Sequence, residues 1–112
     1  MSIINILILF LLPLCTFAGD LKESDYAKAH CKGTLEYRLF DGTRVDCLAD
    51  DRAIEFDFCH KWAEAAGQAR WYSAATGKPP GVVLICSPDE DRFIYRAMVA
   101  CGVGCLVETV PK

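Results

Sequence analysis

The chain has 112 residues, 53% of them hydrophobic, and a formal net charge of −3. That length holds one domain and leaves no room for a second. The acidic balance works against a protein that grips nucleic acid through bulk positive charge, because phosphate neutralisation draws on Lys and Arg; it still allows a nuclease, whose active-site carboxylates a metal ion would offset.

Ile3 to Leu14 is almost wholly apolar, and no charged side chain precedes Asp20. Thr16-Phe17-Ala18 offers small residues at the two positions that a signal peptidase reads. The apolar run is about a dozen residues, short of the ~20 needed to cross a bilayer. Residues 1–18 are therefore expected to be a cleaved signal peptide, and residues 19–112 a single exported domain, periplasmic or secreted. The alternative is an uncleaved membrane anchor over residues 2–19. Beyond the leader lie Cys31, Cys47, Cys59, Cys86, Cys101 and Cys105. An even count in a small exported domain indicates a disulfide framework, with at least one bridge expected at Cys101 or Cys105. The rival reading takes Cys47 and Cys86, in apolar strand-like runs, as small buried hydrophobes. A zinc site is weakly supported, since Cys59-His60 and Cys101-x-x-x-Cys105 include no CxxC pair.

Asp20 to His30 is rich in helix formers, with Leu21, Tyr26 and Ala29 as an apolar stripe and Gly33 as the stop. Thr34 to Leu39 alternates, Asp41-Gly42 signals a hairpin turn, and Thr43 to Leu48 returns as the second strand. Asp50-Asp51 turns into a third strand, Ala53 to Phe58. His60 to Thr76 reads as a helix ended by Gly77-Lys78-Pro79-Pro80-Gly81. Val82 to Cys86 is a continuous apolar run, the mark of a strand buried on both faces. A helix over Glu90 to Ala100 and a strand over Cys105 to Val110 complete the order α-β-β-β-α-β-α-β. Strands separated by helices after a meander imply a mixed sheet flanked by helices, an α/β or α+β fold.

The candidate site lies between Arg44 and Gln68. Strand alternation puts Glu55 and Asp57 on one face and Ile54, Phe56 and Phe58 on the other. The apolar set is expected in the core and the carboxylates toward a cleft or solvent, with Asp46 joining them from the neighbouring strand. Carboxylates in strand-like sequence are costly unless they meet a metal, a cation or water. A hard divalent ion is commonly held by one or two such groups plus water and substrate phosphate. Along the following helix Lys61, Glu64, Gln68 and Tyr72 share a stripe, and Trp62, Ala65, Ala66 and Ala69 face the sheet. The bland alternative is a solvated sheet face beside a helix with a Lys61–Glu64 pair.

Asp46 on one strand, Glu55 on the next and Gln68 on the helix after it resemble the core of the PD-(D/E)xK nuclease superfamily, restriction-endonuclease-like in fold. The αβββαβ order over residues 20–86 is similar to that superfamily's core. The segment is also similar to small uncharacterised bacterial and phage-type proteins carrying RVDCL…AIEFDF…KWAEA.GQ, over about residues 36–85. The resemblance implies Mg²⁺ or Mn²⁺ held by Asp46, Glu55 and Asp57, DNA as substrate, and catalytic roles for Asp46, Glu55, Asp57, Lys61 and Gln68. It departs from the family at Asp57, where lysine is usual, which makes Lys61 the natural replacement for the missing charge and Asp57 a third metal ligand or a general base. Glu36 is the candidate for the family's earlier glutamate, and Arg38 and Arg44 are candidates to meet phosphate. The alternative function is an exported, disulfide-stabilised binding module that has the fold and no catalysis.

Overall fold

The computed structural model describes residues 20–112, so the proposed leader and anchor lie outside it. Helix α1 spans Glu23–His30, and its start is fixed where the Asp25 carboxylate accepts the Lys22 N–H at 2.8 Å. It begins later than expected, and its buried residue is Ala27, whereas Leu21 and Ala29 lie at the surface. The cap is Cys31, whose N–H returns to Ala27; Gly33 serves a different purpose. A Cβ there would collide with the Leu48 carbonyl and stand 2.7 Å from Ala49 Cα.

Strands β1 (Thr34–Arg38), β2 (Arg44–Leu48) and β3 (Ala53–Phe58) form the expected antiparallel meander. A short 3₁₀ turn, Cys59–Lys61, leads into helix α2, Trp62–Thr76, which Gly77 closes with a left-handed φ of 76°. Strand β4 (Pro80–Cys86) runs parallel to β3, helix α3 covers Arg92–Cys101, and strand β5 (Leu106–Pro111) runs parallel to β4. The sheet has five strands in the order β1-β2-β3-β4-β5. The fold is mixed α/β, with every expected element present and the ends shifted by a few residues.

Helices α2 and α3 cover one face, where Ala65, Ala66 and Ala69 close on Val82 and Leu84, with Ala97 and Cys101 from α3 behind them. The small side chains let the helix approach the sheet closely. On the other face Ala27 of α1 packs with Cys47 and Phe56. Three disulfides join Cys31 to Cys47, Cys59 to Cys86 and Cys101 to Cys105. The last pair is the expected one. Cys47 and Cys86 are buried, as the rival reading had it, yet both are bridged. Cys59, Cys101 and Cys105 are likewise consumed, which removes the thiolates a zinc site would have used. Among the described residues no helix is long and apolar enough to cross a membrane.

The regular pairing fails at one row. Thr34 and Leu35 pair with Leu48 and Cys47, and Tyr37 and Arg38 pair with Val45 and Arg44, but Glu36 and Asp46 between them are skipped. On the other side β2 and β3 pair only through Cys47 with Ile54 and Leu48 with Ala53. That register, continued, sets Asp46 opposite Glu55. Strand alternation breaks at the same place: Val45 packs with Ala53 and Tyr72 on the α2 side, whereas Cys47, two residues on, packs with Phe56 on the α1 side. Side chains two apart share a face only in a regular strand. Asp46 therefore sits at a twist where the meander splays open.

Candidate active site

The splay makes a cavity of about 400 Å³ between α1, the meander and α2. Asp46, Glu55, Asp57, Lys61 and Gln68 all line it. Glu36 and Glu64 join them, and so does Glu23 from α1, which the sequence reading did not single out. A long sequence separation hides Glu23, because no local pattern says where α1 will lie against β3. Arg38 and Arg44 are elsewhere, facing each other across β1 and β2.

Burial departs from expectation in part: Phe56 is in the core and the two carboxylates line the cleft as expected, but Glu55 is only 4% exposed and Asp57 7%, while Ile54 and Phe58 are half-buried. The carboxylates occupy the face that α2 covers, because α2 follows β3 directly and its alanine stripe closes over that side. The pair opposite them therefore lies under the thinner cover of α1.

Each acid is held differently. The Asp46 Oδ2 accepts the Phe56 N–H at 2.8 Å, taking the place of a backbone acceptor that the splayed ladder no longer supplies. Asp57 Oδ1 accepts the Phe58 N–H at 2.9 Å. Glu55 Oε1 is buried with no hydrogen-bond partner. Burial pushes the Glu55 carboxyl up to about 11, reinforced by a hydrogen bond with Asp46 and by the charges of Asp46 and Asp57. Burial also raises Asp57, to about 6, against the opposing Phe58 N–H. A buried acid with an unpaired oxygen is a costly arrangement that a bound cation would relieve.

Lys61 Nζ stands 3.5 Å from Glu23 Oε1, where the bland alternative had a pair with Glu64. The charges of Asp57 and then Glu23 hold its ammonium above the usual lysine range. Gln68 Oε1 accepts the Tyr72 hydroxyl at 3.3 Å, which leaves the amide NH₂ free to donate into the cavity. Tyr72 is buried and turned to the sheet, which separates it from the solvated stripe. Glu36 has φ of +52°, a left-handed conformation for a non-glycine residue. Such strain costs about 1–3 kcal/mol and gathers at functional sites.

The donor set fits a hard divalent ion of the two-carboxylate kind. Asp46 and Glu55 both line the cavity, and one Glu55 oxygen is buried there without a partner. Among the described residues no three His, Cys, Asp or Glu side chains gather closely enough to enclose a metal by themselves. Water and a substrate phosphate would complete the shell, as is usual for Mg²⁺. Set against known protein families, curated proteins and solved structures, the chain matches none.

Proposed function

We propose that the protein is a metal-dependent phosphodiesterase of PD-(D/E)xK type that cleaves DNA. The observation that carries this reading is the orphaned, buried Glu55 carboxylate in one cavity with Asp46, Asp57, Lys61 and Gln68. Asp46 and Glu55 would hold Mg²⁺ or Mn²⁺. Such an ion, when bound, offsets charge on a phosphodiester and lowers the pKa of water.

The chain's own residues divide the remaining work. Asp57, which burial raises to about 6, has Oδ2 free of the Phe58 contact, and this suits it to accept a proton from the attacking water. The water oxygen bonds to phosphorus as the bond to the leaving oxygen breaks, and that oxygen takes up a proton from solvent. Lys61, a persistent cation beside Asp57, supplies the positive charge that the family's usual lysine would give at position 57. The Gln68 amide donates to the water or a phosphate oxygen.

Incubation of the protein with plasmid DNA and Mg²⁺ or Mn²⁺ tests this. Nicking or linearisation is expected, with Lys61→Ala losing on the order of a hundred-fold in rate. No cleavage by the wild type, or equal cleavage by an Asp46→Ala, Glu55→Ala variant, would sink the reading.

A further inference from the structure

The chain carries 12 Lys and Arg against 15 Asp and Glu, yet among the described residues Lys61 and Glu23 form the one ion pair. Nζ and Oε1 are 3.5 Å apart, and both residues line the acidic cavity. The side chains are 42% and 36% exposed, which sets the pair at the cavity mouth. Its two members differ in freedom. Lys61 ends the short turn Cys59–Lys61, and its flexible four-carbon stem can swing out into water. Glu23 belongs to a helix tied down at three points. Ala27, one turn along α1 on the same face, packs with Cys47 and Phe56. Tyr26 meets the Phe58 ring edge-on at 6.2 Å, and the Cys31–Cys47 bridge anchors the helix end to β2. The Glu23 carboxylate is thus presented from a fixed frame, and the ammonium comes to it. Neighbouring acids offer no equal hold: Asp57 already accepts the Phe58 N–H, and Glu64 makes no ion pair. Lys22 and Lys28 of α1 line the same cavity and are unpaired among the described residues.

We infer that Glu23 is a positioning residue: from α1 it holds the Lys61 ammonium over the cavity that contains Asp46, Glu55 and Asp57. The inference rests on the phosphodiesterase reading and adds to it a residue that acts through Lys61. A charge assists a reaction from the place it occupies as the transition state forms, so ordering it beforehand removes that cost from the step. An exposed ion pair is weak. That weakness suits the role, because the ammonium can turn from Glu23 to a phosphate oxygen at little cost. It also sets the size of the expected effect.

Steady-state cleavage of DNA with Mg²⁺ by the wild type, Glu23→Gln, Glu23→Asp and Lys61→Ala tests the assignment. Glu23→Gln keeps the shape and removes the charge. Its kcat should fall roughly two- to five-fold, the span of an exposed ion pair. KM should stay the same or fall, because an anion has left the path of a polyanion. Glu23→Asp should recover part of the loss by restoring the charge on a shorter stem. In the Lys61→Ala background Glu23→Gln should change nothing further, since the two residues act as one unit. A residue that merely supports the fold would lower kcat equally with or without Lys61. Unchanged kcat in Glu23→Gln, a full additional loss in the Lys61→Ala background, or a rise in KM alone overturns the inference. If the wild type cleaves nothing, the phosphodiesterase reading falls, and NMR relaxation at the Lys61 Cε methylene judges Glu23 independently. Greater mobility there in Glu23→Gln than in the wild type upholds Glu23 as the residue that orders Lys61; equal mobility overturns it.

Discussion

Glu55 is the residue on which the site turns. Its carboxyl is buried, one oxygen has no partner, and its pKa is pushed up to about 11. The unfolded chain would release that proton near 4.5, so the folded state binds more protons above that pH, and stability falls as pH rises toward 11. Asp57 adds a narrower loss of the same sign between 3.8 and about 6. Without divalent ions the protein should therefore melt at a higher temperature near pH 5 than near pH 8, and thermal scans across that range measure the slope. Glu55→Gln should flatten much of it and raise the melting temperature near pH 8 by roughly 4–8 °C per kcal/mol recovered. The same change should abolish any stabilisation by Mg²⁺. Wild-type stabilisation by Mg²⁺ should grow with pH, because the ion must displace the Glu55 proton.

Among the elements, the break between β1, β2 and β3 matters most. Asp46 accepts the Phe56 N–H where β2 backbone would otherwise do so, and Glu36 opposite it takes a left-handed φ of 52°. Asp46→Ala strands that N–H and should cost about 1–3 kcal/mol. Asp46→Asn keeps an acceptor and should cost less than half as much, while both variants lose cleavage. Urea midpoints of the two variants decide the matter: equal losses would mean that the bond does not hold the splay. Helix α2 supplies the lid because its inner face is alanine, and this lets Lys61, Glu64 and Gln68 lie along the cavity.

At the scale of the molecule the core is thin for so small a domain, and the bridges carry part of the stability. Cys31–Cys47 ties the end of α1 to the residue after Asp46, and Cys59–Cys86 ties the turn between Asp57 and Lys61 to the end of β4. They close loops of 16 and 27 residues, and restricting the unfolded chain in this way is worth roughly 3 kcal/mol for each. Cys101–Cys105 spans 4 residues and contributes less. Reduction should thus unfold the protein near physiological temperature, read as loss of near-ultraviolet circular dichroism. Replacing Cys101 and Cys105 by serine should leave it folded.

Much of the fold could be read along the chain, since alternation, the Asp41-Gly42 turn, the alanine-rich helix and the Gly77 stop are local signals, and each element formed where they lie. The residues of the candidate cavity were legible too, because carboxylates in strand-like sequence stand out wherever the strands go. The acids' burial was not, since alternation separates two faces without saying which one a later helix will cover. Nor could local pattern supply Glu23, the left-handed backbone at Glu36, or the pairing of six cysteines. Those depend on contacts between residues far apart in sequence. Only the packed helices and the splayed strands decide them.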